Sequence, residues 1–179
     1  TRGLGGQRVL ELGQTTGRLS ARSLREAVPR RGELGVLTWG EAAAVPPPVF
    51  AVREALSAAR RGHDVVVVDL PRATDPSVEE VLGRCDHVVL VAVGTVTGAA
   101  AAARIAARLR GLPASMVVRG TGVEPPDLAR VTGLPVRLAM RDQRGLDEAL
   151  DLGAGPLRAR RGVLARGART VLGDLRAVA

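Results

Sequence analysis

Few residues of this 179-residue chain have a type and a setting that suit chemistry, and those few stand at the ends of apolar runs. Asp69 falls in the run 65–70, four valines followed by Asp and Leu, with Pro71 and Arg72 next. A carboxylate at the end of rigid extended backbone suits a magnesium ion or a water beside a nucleotide phosphate, because a hard cation takes oxygen ligands. An Asp in that place also serves simply to cap the next turn. The run 88–93 leads into Gly94-Thr95-Val96-Thr97, where Thr95 can face a ligand and Thr97 can cap a helix. The run 116–118 leads into Arg119-Gly120-Thr121-Gly122, whose glycines permit close backbone approach and whose guanidinium can meet an anion. A solvated loop arginine is the plainer alternative there. Cys85 and His87 flank the start of 88–93, and no third group pairs with them. They read as a small buried thiol and a strand-edge imidazole rather than a nucleophile and its base.

Composition removes several classes outright. The chain has no Lys, so all 26 of its basic residues are Arg, and it also lacks Asn and Tyr. Any site that needs a lysine, such as a complete phosphate-binding P-loop or a Schiff-base centre, cannot form from these residues. Residues with AT-rich codons are nearly missing, so codon usage accounts for part of the net charge of +8 and discounts it as a sign of a nucleic-acid partner. One Cys excludes an internal disulfide and a Cys-based zinc site, and two His leave little for a histidine-rich metal centre. The alanine-rich stretch 98–107 is too short to span a membrane and is interrupted by Arg104. A first residue of Thr with no signal pattern leads to the expectation of a cytoplasmic chain that begins inside a longer gene product.

The elements that must position these residues alternate between two periods. Residues 1–17 read as a loop or a remnant of an upstream segment, and the whole chain as a single α/β domain. Ser20 can cap a helix to Pro29, and 34–39 fits a buried strand ending at a packing Trp39. The triplet Pro46-Pro47-Pro48 opens a helix to Arg61. The runs 65–70, 88–93, 116–118 and 136–140 read as strands covered on both faces. Between them, Asp75-Pro76 starts a helix to Arg84, Thr97 caps one to Arg110, and 127–132 and 146–152 supply two more. The last segment, 157–178, carries one apolar helical stripe weakened by Gly162, Gly167 and Gly173. Strands alternating with helices imply a parallel central sheet flanked by helices.

The order of these segments resembles that of the MinD/ParA-type P-loop ATPases. The segments that carry the likeness are Gly62-His63-Asp64-Val65-Val66-Val67-Val68-Asp69-Leu70-Pro71-Arg72, then Cys85-Asp86-His87-Val88-Val89-Leu90-Val91, then Met116-Val117-Val118-Arg119-Gly120. Gly133-Leu134-Pro135-Val136-Arg137-Leu138 and Asp142-Gln143-Arg144-Gly145-Leu146-Asp147-Glu148-Ala149 close the series. Within that superfamily the chain is most similar to the CpaE-like septum site-determining proteins encoded near Tad-type pilus genes. The most specific stretch runs from Ser23-Leu24-Arg25-Glu26-Ala27-Val28-Pro29 through Leu34-Gly35-Val36-Leu37-Thr38-Trp39-Gly40. The resemblance implies a P-loop NTPase-like fold whose amino-terminal part is missing, with ATP and magnesium bound only by the complete domain. It places Asp69 at the Walker B aspartate on the metal side. Arg119 and Gly120 fall where many relatives read the adenine edge with an asparagine, and Asp142 falls in the loop near the base. The Walker A loop with its lysines is not in this chain, so the chain alone is expected to be inactive and the longer product to be the candidate ATPase.

Three roles compete on these grounds. The resemblance implies a regulator of septum placement or pilus assembly that works with a protein partner or as a homodimer. A second role is a non-enzymatic scaffold that binds a partner or an acidic surface through arginines. Arg158, Arg160, Arg161, Arg166 and Arg169 cluster on the last helix, which can make peripheral membrane contact or pack on the sheet with its arginines solvated. Direct DNA binding ranks third, because the sequence shows neither a helix-turn-helix signature nor interleaved aromatics.

Overall fold

The computed structural model describes residues 19–38, 47–156 and 161–176, so the expectations for 1–17, Trp39, Arg158 and Arg160 lie outside the described residues. The chain divides into two compact units, Thr1–Cys85 and Asp86–Ala179.

In the first unit the local signals act as their chemistry dictates. Helix α1 (Ala21–Ala27) starts where the Ser20 hydroxyl accepts the Ser23 amide at 2.9 Å, and it buries Leu24. Helix α2 (Val49–Gly62) follows the proline triplet with Pro48 at its cap. Its apolar stripe of Ala51, Val52, Ala55 and Leu56 is buried, and the helix packs on α1 and on α3 (Pro76–Leu82). Asp75 caps α3 by accepting the amides of Ser77 and Val78 at 2.8 and 3.1 Å. Arg53 of α2 grips Glu80 of α3 with two bonds, Nε to Oε1 at 2.8 Å and NH2 to Oε2 at 2.9 Å, and Arg84 joins the same carboxylate. These hydrogen bonds, Arg53 first and Arg84 second, hold the Glu80 carboxyl down to about 2.

Among the described residues, the two expected strands of this unit do not form a parallel ladder. In the stretch 34–39, Leu34–Gly35 (β2) pairs antiparallel to Arg30–Arg31 (β1) around Gly32 at φ +63°, and Thr38 makes an isolated bridge. The stretch 65–70 has no regular secondary structure and joins no ladder among the described residues. Val66 and Leu70 pack on the cluster of Val52, Leu56 and Val81, while Val65, Val67 and Val68 face outward. A valine run supplies the propensity and the apolar faces of a strand, but a strand exists only when a neighbour takes up its amides and carbonyls.

The second unit is a parallel sheet flanked by helices. Its strands β3 (Val88–Val93), β4 (Ala114–Arg119) and β5 (Val136–Met140) lie in that order and are all parallel. Strand β4 is longer than the expected 116–118. Helices α4 (Val96–Arg108) and α5 (Pro125–Thr132) make the crossovers and pack on one face, around Leu90, Ala92, Ala102, Ala106, Met116, Val118 and Leu128. The alanines of α4 let its axis lie close on the sheet. Thr95 caps α4, accepting the Gly98 amide at 3.0 Å, in place of the expected Thr97. Thr95 has the extended backbone a cap requires, whereas Thr97 is already inside the first turn.

A register shift between Met116 and Val117 makes Arg137 the extra residue opposite β4, so Leu138 pairs with Val117 on the second face. There helix α7 (Val163–Arg176) packs on β5, and a Cβ at Gly167 would lie 2.9 Å from Leu138 Cδ2 and 3.2 Å from Met140 Sδ. Glycine is what allows that approach. A short helix α6 (Leu146–Asp151) connects β5 to α7. Among the described residues no helix is long and apolar enough to cross a membrane.

Candidate functional site

The carboxyl ends of β3, β4 and β5 meet in one set of loops. The ladder runs one residue past each strand: Gly94 N–H donates to the Arg119 carbonyl at 2.6 Å, and Gly120 N–H donates to the Met140 carbonyl at 2.9 Å. The loops then touch through backbone. A Cβ at Gly94 would stand 3.0 Å from the Gly120 oxygen, one at Gly122 2.7 Å from the Gly94 oxygen, and one at Gly98 only 2.2 Å from the Val93 oxygen. Gly120 also holds φ +85°, which favours glycine independently of space.

Over these loops Arg119 and Asp142 form an ion pair. Asp142 Oδ1 accepts from Arg119 NH2 at 2.8 Å and from Nε at 3.2 Å, with the two side chains 41% and 64% exposed. A pair this exposed adds about 0–1 kcal/mol to stability, so holding the fold is a small part of what it can do. It presents guanidinium N–H donors and carboxylate acceptors side by side at the sheet's carboxyl edge, a surface suited to the edge of a planar polar group. The structure therefore brings together Arg119, Gly120 and Asp142. Asp69 lies exposed in the unladdered stretch of the first unit. Among the described residues no group of three or more His, Cys, Asp or Glu is placed to hold a metal.

Tested against a magnesium-bound nucleoside triphosphate, the residues present do not suffice. A phosphate cradle needs several unclaimed amides and a lysine, yet the chain has no Lys, and the Gly98 amide at the start of α4 is already taken by Thr95. No step through such a group is derived from these residues.

Sequence reasoning missed a polar cluster near the amino ends of the same strands. Ser115 is wholly buried in β4, and its hydroxyl lies 2.7 Å from His87 Nε2 and accepts from Arg137 Nε at 3.1 Å. Arg137 also lies 3.8 Å from Asp174 of α7. Burial, and then the Arg137 charge, push the His87 imidazole below its ordinary range. The available signal was a serine and an arginine each interrupting an apolar strand run, a pattern that requires partners.

No family model matches the chain. Over 175 residues, 95% of its length, it is 38% identical to two uncharacterized proteins of Mycobacterium tuberculosis, one from each of two strains. It covers 49% of each, so the chain spans about half the length of the curated relatives it matches. A ParA family ATPase from Chlorobium tepidum TLS superposes with a TM-score of 0.79 over 90% of this chain and 72% of that one, at 14% identity. The fold is thus that of a ParA-like P-loop NTPase.

Proposed function

We propose that this chain is the carboxyl-terminal portion of a MinD/ParA-type ATPase domain, of the CpaE-like kind. In this reading the longer protein regulates septum placement or Tad-type pilus assembly together with a protein partner or a second copy. The observation that supports this best is the ParA-like fold combined with the glycine-lined meeting of three loops at the carboxyl ends of parallel strands, where such sheets take their ligands. In the complete domain Arg119, Gly120 and Asp142 border the base side of ATP, and Asp69 stands on the magnesium side. The phosphate cradle comes from residues outside this chain. Helix α7, with Ala165 and Gly167 buried and Arg166 exposed, is the surface through which peripheral membrane contact would run.

The test is titration of a labelled ATP analogue, with magnesium, against the purified 179-residue chain. The expected result is no saturable binding in the micromolar range and no ATP turnover. Micromolar affinity for the chain alone would overturn the division of the site. In the longer protein, Asp69→Ala is expected to abolish ATP turnover while leaving the thermal transition nearly unchanged. An unaltered rate would remove Asp69 from the metal side.

A further inference from the structure

The loop that follows β5 sends two neighbouring side chains in different directions. Asp142 reaches Arg119 at the end of β4, and its Oδ2 stands 4.0 Å from where a Cβ at Gly120 would lie. Gln143, half-buried between the exposed Asp142 and Arg144, instead bridges to the chain beyond α6. Its Nε2 donates to the Pro156 carbonyl at 3.3 Å, and its Oε1 accepts the Leu164 amide, in the first turn of α7, at 3.4 Å. Each bond is long, and the arrangement draws its specificity from both being made at once. A primary amide carries a donor and an acceptor on one planar group, and reversing it here would set oxygen against carbonyl and NH2 against N–H. Only one orientation satisfies both partners. The Leu164 amide is also one of the first four of its helix, which have no acceptor within the helix and take one from elsewhere. On the backbone side, the Gln143 carbonyl accepts from the Leu146 amide at 3.3 Å, which closes the loop on itself.

We propose that Gln143 is a positioning residue for the Arg119–Asp142 pair: it fastens their loop to the start of α7 and so fixes where the carboxylate stands over Gly120. The pair is too exposed to set its own geometry, since a surface ion pair gains little over two solvated side chains. Asp142 is one peptide from Gln143, so its backbone cannot shift without pulling the amide off Pro156 and Leu164. The Arg119 fork follows the carboxylate, because its Nε and NH2 both bond to the same Oδ1. Helix α7 is a firm reference for the loop, with Gly167 set closely on Leu138 and Met140 of β5. The use of this placement, which is to hold donors and acceptors toward the edge of a nucleobase, rests on the proposed function. The placement itself does not.

The first measurement needs no nucleotide. In the full chain, hydrogen exchange at Arg119 Nε–H, read by NMR, is expected to quicken by roughly threefold or more in Gln143→Met, which keeps the length of the side chain and removes both bonds. Arg137 Nε–H, bonded to Ser115 near the amino ends of the strands, is the internal reference and is expected to keep its rate. Should Gln143→Met misfold, Gln143→Glu keeps the acceptor for Leu164, loses the donor to Pro156, and is expected to quicken Arg119 alone by a smaller factor. An unchanged Arg119 rate overturns the proposal, and so does an equal change at Arg137 in a folded variant, which would mean general loosening. The second measurement is made on the longer protein. There Gln143→Met is expected to raise KM for ATP by roughly threefold or more with kcat nearly unchanged, and Arg119→Ala to raise it further. If Arg119→Ala raises KM and Gln143→Met does not, the proposal falls and the base-side reading stands. If Gln143→Met frees Arg119 in the chain but neither variant moves KM, the positioning stands and the base-side reading falls.

Discussion

The Ser115 hydroxyl accepts from a guanidinium that never loses its charge, so its own proton is available for His87 Nε2 as long as the imidazole is neutral. Protonating His87 turns acceptor into donor and sets two cations about one buried oxygen. Burial first, and then the Arg137 charge, hold His87 below its ordinary value of 6.5 in the folded chain. Between that depressed value and 6.5 the unfolded chain binds a proton that the folded chain does not. Stability is expected to fall as pH drops through this window and to level off below it. Urea titrations across the window check this, and His87→Gln is expected to flatten the dependence. Ser115→Ala leaves both partners short of a bond and is expected to cost about 1–3 kcal/mol in the same assay. A second acid step belongs to Glu80, whose carboxyl is held near 2 by Arg53 and Arg84. Its contribution is complete above the ordinary 4.5 and is lost as pH falls toward 2, so Glu80→Gln is expected to remove part of the acid-side slope without touching the His87 window.

At the scale of elements, glycines separate two kinds of site within the same helices and loops. Gly98 opens α4 with its α-carbon against the Val93 carbonyl, and a methyl added there would stand 2.2 Å from backbone, which cannot swing aside. Gly98→Ala is expected to cost more than about 2 kcal/mol by chemical denaturation, through displacement of the start of α4. In α7, Gly167→Ala would press on Leu138 and Met140 and is expected to destabilise by about 1–3 kcal/mol. Gly173 on the same helix meets nothing within 4 Å, so Gly173→Ala is expected to stabilise by up to about 1 kcal/mol. Opposite signs for these two substitutions check the packing of α7 on β5. Equal effects would mean that the helix does not sit there.

For the whole molecule, the two compact units have different degrees of completion. The second has a three-stranded ladder covered by α4 and α5 on one face and by α7 on the other. The first has helices, a two-residue antiparallel pair and a valine stretch with no partner strand among the described residues. Exposed Val65, Val67 and Val68 there, and Val91 and Val93 in the other unit, give the chain apolar strand surface in both. Sedimentation of the purified chain is expected to show concentration-dependent association, and the longer protein is expected to show less. A chain that stays monomeric at high concentration would mean that these valines are tolerated in water.

Whatever depends on near neighbours was legible in the sequence. The Ser20 and Asp75 caps, the proline start of α2, strands 88–93 and 136–140, and the alanine helix on the sheet follow from side chains within a few positions of each other. Arg119 and Gly120 could be singled out for the same reason, because they close a strand, whereas Asp142 was named only through the family resemblance. Their pairing could not, since the Arg119–Asp142 contact joins positions 23 apart and depends on how β4 and β5 register. Nor could the His87–Ser115–Arg137 chain, assembled from three strands' ends. The stretch 65–70 shows the limit most plainly: its valines supply strand propensity and apolar side chains, but a ladder is a property of two strands, and only the tertiary structure decides whether the second is there.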